Sequence, residues 1–248
     1  MWATVRLVAL TALRNRLFAG LLVALIGATA TAVFLGGTAL IEQAQAVVVF
    51  AAGAGRIVLV IGLVVFVAFH VQSMIETREV EGILARALTR GSFVLGYWLG
   101  FALVTCVFVA GLAAALWFVA PAASGLLVWA LSLLLECLII VAVAIFAGLM
   151  LERATSCVIF SLGFYALSRL MGLFLGIRDF MPGVREVRAS DYVVDALALI
   201  IPRLDLFAQT EWLVYGQGAP LLLPFAQGAV FLGLVLAASI FDLTRRQF

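Results

Sequence analysis

The sequence predicts an all-α integral membrane protein with six transmembrane helices. Of its 248 residues, 66% are hydrophobic and 11% charged, against ~45–50% and ~25% in a soluble domain. The charges also stand far apart. Uncharged runs of 25, 19 and 45 residues separate Arg16 from Glu42, Arg56 from Glu76, and Arg90 from Glu136. About 20 apolar residues cross a bilayer, so these runs are long enough to make the membrane the solvent of the chain.

The elements follow in order. Trp2, Val5, Ala9 and Leu13 recur at helical spacing, while Thr4, Thr11 and Arg14 fall elsewhere on the wheel, so residues 1–16 are expected to lie in the interface as a short helix. The first span is 17–40. Its apolar run exceeds the roughly 7–15 residues of a signal-peptide core, so it is read as a retained anchor despite the triplet Ala44-Gln45-Ala46. The second span, 47–75, begins at Val47 or just after Arg56. The run after Arg90, as one helix, would measure roughly 67 Å, more than twice the hydrocarbon thickness. It must fold back, and Pro121 to Gly125 mark the turn between spans 93–118 and 126–151. Glu152 and Arg153 precede the fifth span, 156–176, and the sixth is 221–243, ahead of Arg245 and Arg246.

Six crossings place both ends of the chain on one side. With the N-terminus inside, the cytoplasmic segments hold Arg6, Arg14, Arg16, Arg78, Arg86, Arg90, Arg153, Arg245 and Arg246. The external segments hold only Arg178, Arg185, Arg188 and Arg203, in a loop where acidic residues outnumber them. The positive-inside rule therefore predicts both ends in the cytoplasm.

Two polar segments stand out. Between spans two and three, Val80, Ile83, Leu84, Ala87 and Leu88 form one apolar stripe, with Glu79 and Glu81 in the first turn and Arg86 and Arg90 in the last half. That pattern predicts an amphipathic helix, 77–90, along the inner membrane surface. Gly91 suits its C-cap, and Ser92 can cap the next span. Between spans five and six, Ser190 can cap a helix carrying Val193, Val194, Leu197, Ile200 and Ile201 ahead of Pro202, and Thr210 can cap a second that stops at Gly216. Neither is long enough to span.

Inside the spans the ionisable groups are few. Glu136 lies about ten residues into the fourth span, where a charge costs on the order of 3 kcal/mol. It needs a partner: Arg169 is the first candidate and Arg56 the second, although Arg56 at an outer boundary would snorkel. His70 reads as a satisfied polar residue, and Cys106, Cys137 and Cys157 as small apolar groups. No metal site and no nucleic-acid partner are expected. All fifteen basic residues are arginine, which excludes a P-loop lysine, a Schiff base and a lysine general base in this chain. The two Gly-x-x-x-Gly patterns, Gly96 to Gly100 and Gly172 to Gly176, allow close helix approach.

Arg78-Glu79, Glu81-Gly82, Leu84, Leu95-Gly96 and Leu99-Gly100 resemble the coupling-helix region of ABC-2-type (type V) exporter permeases. Ile83, Ala85 and Tyr97 depart from that pattern, as does the lack of a proline at 88–92, and these departures bear on the subfamily. Further on, Ile201-Pro202-Arg203-Leu204-Asp205-Leu206-Phe207 and then Tyr215-Gly216 are similar to the permeases linked to multicopper-enzyme and nitrous oxide reductase maturation. The resemblance implies a bacterial cytoplasmic (inner) membrane and a pair of permease copies forming a homodimer. It also implies two copies of an ABC ATPase subunit that hold ATP and Mg, with lipid around the assembly and room for a periplasmic accessory protein. It implies that Arg78, Glu79, Glu81, Gly82, Leu84 and Arg86 serve ATPase coupling. Pro202, Asp205, Phe207, Tyr215 and Gly216 would then belong to a re-entrant external gate within 177–220; the alternative for that loop is a cap over the helix ends. No catalytic residue is expected.

Two other classes are weighed. An ATP-independent carrier or channel predicts several intramembrane ionisable groups or inverted repeats. An intramembrane enzyme requires paired catalytic groups, and His70 has no evident partner in the sequence.

Overall fold

A computed structural model describes residues 2–39, 42–77, 89–119, 125–179, 201–216 and 222–245. The segment 78–88, with Arg78, Glu79, Glu81, Gly82, Leu84 and Arg86, lies outside the described residues, as does the expected helix after Ser190. The described residues form eight α-helices, α1 (Trp2–Arg14), α2 (Arg16–Gly37), α3 (Gln43–Glu76), α4 (Arg90–Val119), α5 (Leu126–Met150), α6 (Ala154–Asp179), α7 (Glu211–Tyr215) and α8 (Leu222–Arg245), with a 3-10 turn at Leu204–Leu206. No strand occurs among the described residues. Six of these helices, α2 to α6 and α8, are long and apolar enough to cross a membrane.

Their breaks have local causes. Asn15 leaves the helical region and its side chain accepts a hydrogen bond from the Leu17 N–H at 3.0 Å, separating α1 from α2. α2 and α3 form a tight antiparallel hairpin. Gly36 lies directly against the Val47 backbone, where a Cβ would collide, and Gln43 Nε2 donates to the Gly37 carbonyl at 2.6 Å. Thr89, one residue before α4, accepts from the Ser92 N–H at 3.3 Å, and its hydroxyl meets that of Ser92 at 2.7 Å. The cap of the third span is therefore Thr89. Gly91 and Ser92 lie inside the helix, because Arg90 already has helical geometry.

α5 is the axis of the bundle. From Ser132 to Leu149 it is buried or half-buried on every side, whereas Leu127 and Leu131 near its start are exposed, as expected for a central helix without a polar face. α3, α4, α6 and α8 all pack against it. Gln72 of α3 donates to the Gly148 carbonyl at 3.1 Å and the Leu151 carbonyl at 2.5 Å, satisfying the end of α5. Arg90 does the same for α8, through the carbonyls of Leu243 at 2.8 Å and Thr244 at 2.7 Å.

α6 is polar inside and apolar outside. Ser161 and Ser168 are fully buried, whereas Ile159 is 73% and Leu173 59% exposed. In water this orientation would be unfavourable; in lipid it places apolar side chains against acyl chains and keeps the hydroxyls with protein. α1 packs on α4 with Val5, Val8 and Ala12 inward, while Leu13 stays 48% exposed. The buried stripe is thus offset from the expected one. The cause is Gly100 of α4, whose missing side chain admits Val8. In the second Gly-x-x-x-Gly pattern, Gly172 faces Asp205 and Gly176 faces open space.

Replacing Gly100 by Leu should push α1 off α4. The expected outcome is a thermal midpoint lowered by a destabilisation of about 1–3 kcal/mol. Gly233→Leu, at an exposed glycine with nothing within 4 Å, should leave the midpoint of the detergent-solubilised protein unchanged.

Candidate functional site

α5 carries Trp129, Ser132 and Glu136 at positions i, i+3 and i+7, all fully buried, so they form one stripe along the helix. Glu136 is ten residues from the start of α5, about 15 Å. α6 brings Tyr165 and Arg169, one turn apart, and Arg169 is ten residues from the end of its helix. α3 brings Arg56, thirteen residues from its start. These three helices bring their polar residues to similar depth, and residues 201–216 fold back among them.

Arg169 Nη1 stands 3.6 Å from Glu136 Oε1, an ion pair longer than a hydrogen bond. The Tyr165 hydroxyl and Arg56 also lie within electrostatic reach of the carboxylate. The guanidinium donors go elsewhere. Arg169 Nη1 donates to the Leu204 carbonyl and, at 2.9 Å, to the Phe207 carbonyl. Arg56 Nη1 donates to the Ala208 carbonyl at 3.0 Å. Arg56 therefore turns into the bundle. The expectation that it snorkels fails because α3 continues unbroken for 34 residues, from Gln43, and places it well inside the helix.

Ala208 is the focus. Its N–H donates to Ser132 Oγ at 2.8 Å, and its carbonyl accepts from both Arg56 and, at 3.1 Å, Trp129 Nε1. It holds φ 45°, a left-handed conformation that costs a non-glycine residue about 1–3 kcal/mol. Three hydrogen bonds from three side chains keep it there.

The rest of the segment is anchored by shape. Phe207 is fully buried and stacks on Phe225 at 5.7 Å, with room made by Gly228 of α8. Pro202 is buried. Asp205 pairs with Arg203 at 2.8 Å, in space left by Gly172. Trp212 lies directly on Gly125, at the start of α5. Thr210 occupies the N-cap position of α7 without a side-chain capping bond, and Gly216 ends that helix at φ 66°, where glycine is the favoured residue. Tyr215 is exposed and lines a cavity of about 460 Å³ with Glu42, Phe50 and Glu211.

The structure thus brings Glu136, Arg169, Arg56 and the segment of Pro202, Asp205 and Phe207 to one place. Reading the sequence missed Trp129, Ser132, Tyr165 and Ala208. The signal for the first two was their spacing from Glu136; for Tyr165 it was one turn from Arg169. His70 packs among Phe66, Tyr97 and Phe101, its ring 5.3 Å from that of Phe101. Among the described residues, no three His, Cys, Asp or Glu side chains gather in a way that could hold a metal.

No protein-family model matches the chain, and no curated protein matches it.

Arg169→Gln leaves the Glu136 carboxylate without its ion-pair partner and should destabilise the protein by about 3–5 kcal/mol. Adding Glu136→Gln should recover part of that loss, as a double-mutant cycle on unfolding midpoints would show. At Ala208, Val should lower the midpoint, since a β-branched residue resists positive φ, while Gly should be tolerated.

Proposed function

We propose that this chain is the membrane permease subunit of an ABC exporter of the ABC-2 type, in a bacterial cytoplasmic membrane with both ends inside. Two copies would pair, and two copies of a separate ATPase subunit, holding ATP and Mg, would act on residues 77–90. The reading rests chiefly on one observation. Residues 201–216 fold back into the bundle and are tied by Arg56, Trp129, Ser132 and Arg169 to α3, α5 and α6, as a closed external gate requires. Support also comes from the opposite end, where Thr77 closes α3 and Thr89 opens α4, joined by the charged amphipathic stretch that bears Glu79, Glu81, Gly82 and Leu84. A motor pushing there and a gate yielding at the far end is the kind of two-state arrangement that coupling demands.

The fully buried Glu136 favours a second reading, an ion-coupled carrier acting without ATP. Transport by reconstituted protein in the absence of nucleotide would select it.

Two measurements test the proposal. An ATPase subunit should co-purify with the wild-type chain and be lost, by tenfold or more in yield, when Glu79→Ala and Leu84→Ala are combined; undiminished co-purification rejects the docking site. In a Cys106→Ala background, a maleimide that cannot cross the membrane should label Arg86→Cys only after cells are permeabilised. Labelling in intact cells reverses the orientation.

A further inference from the structure

The charges inside the bundle do not balance. Around residues 201–208, Arg56 and Arg169 share one fully buried carboxylate, Glu136, while Arg203 and Asp205 neutralise each other. One positive charge is left over in a region where net charge is costly. In this conformation it is covered by carbonyl dipoles from Leu204, Phe207 and Ala208. Those three acceptors all belong to residues 201–216, whereas Glu136 belongs to α5 and stays when that segment leaves.

Three donor side chains, Arg56, Trp129 and Arg169, therefore converge on the volume occupied by the backbone of Phe207 and Ala208, and the Ser132 hydroxyl, which here accepts from the Ala208 N–H, is free to donate into it once that N–H leaves. Arg56 Nε and both Glu136 carboxylate oxygens are buried without a hydrogen-bond partner among the described residues, so the polar groups here are not fully matched even when the segment is seated, and Arg56 keeps a donor to offer. A group that replaces the carbonyls must supply several acceptors within a few ångströms and one negative charge. A phosphate, sulfate or carboxylate does both, because guanidinium groups match oxyanions in geometry and charge. A neutral hydroxyl supplies the acceptors without the charge, and an ammonium group supplies neither.

We infer that Arg56 and Arg169, with Trp129 and Ser132, form an oxyanion-binding site that the carbonyls of residues 204–208 fill when the gate is closed, so that the transported molecule carries an oxyanion group. This rests on the gate reading of residues 201–216. It makes opening and cargo binding competitive with reseating of the segment: the anion holds the gate open, and its departure lets the carbonyls return.

The test uses the full chain in phosphatidylcholine nanodiscs, with radiolabelled inorganic phosphate and dodecyl phosphate as probes and dodecyltrimethylammonium as the charge-reversed control. Dodecyl phosphate or inorganic phosphate should bind, and the control should not. Preference for the first assigns the oxyanion to an amphiphile, preference for the second to a free anion. Arg56→Gln and Arg169→Gln should each weaken binding about tenfold, the effect of losing one charge-assisted hydrogen bond. Glu136→Gln, which removes the competing carboxylate, and Phe207→Ala, which loosens the segment without touching a donor, should both tighten it severalfold. A misfolded variant cannot produce that gain. Gate movement is followed separately by the maleimide labelling rate of Leu206→Cys in the Cys106→Ala background, with and without Phe207→Ala. Faster labelling with unchanged phosphate binding overturns the oxyanion site and leaves the gate standing; unchanged labelling overturns both. Equal binding of the cationic control overturns the oxyanion site.

Discussion

In hydrocarbon, a polar group that finds no partner within the protein finds none at all. That constraint organises the part of this bundle that surrounds residues 201–216. Residues 201–216 contribute little regular helix, so their carbonyls need donors; Arg56 and Arg169 sit deep in apolar helices, so their guanidiniums need acceptors. Each supplies what the other lacks. The bond from Ser132 to the Ala208 N–H completes the exchange and holds a backbone conformation that alanine would not adopt alone.

How much of this was legible in the sequence depends on range. The six long helices follow from where charges are absent, because transfer into lipid is decided residue by residue and needs no knowledge of neighbours. Glu136 and Arg169 stand out for the same reason. Local capping was less visible: Thr89 and Ser92 are equally plausible caps by composition, and only the position at which Arg90 becomes helical decides between them. Arg56 was misjudged because a charge beside a 19-residue uncharged run looks like a boundary, yet residues 43–55 hold no charge either and the helix runs through. The parts played by Trp129, Ser132 and Ala208 depend on a pairing across more than 70 residues of chain. Nothing in a local window encodes such a pairing, although the four-and-seven spacing from Glu136 marks the stripe on which it forms.

Small residues set how closely the pieces approach. Gly36, Gly100, Gly125 and Gly172 each lie where a Cβ would collide with a neighbouring residue. Lipid offers helices little hydrophobic reason to associate, so close van der Waals contact and interhelical hydrogen bonds carry more of the cohesion. On α6 it is close contact that small residues serve: Ser161 and Ser168 are buried against protein, and Ile159, Leu167 and Leu170 turn outward.

The grip of Arg90 on the final turn of α8 makes two columns that are far apart in the chain behave as one strut. Displacing the start of α4 must either carry the end of α8 with it or break both of these charge-assisted hydrogen bonds. α5 belongs to a different tie, its C-terminal end joined to α3 through Gln72.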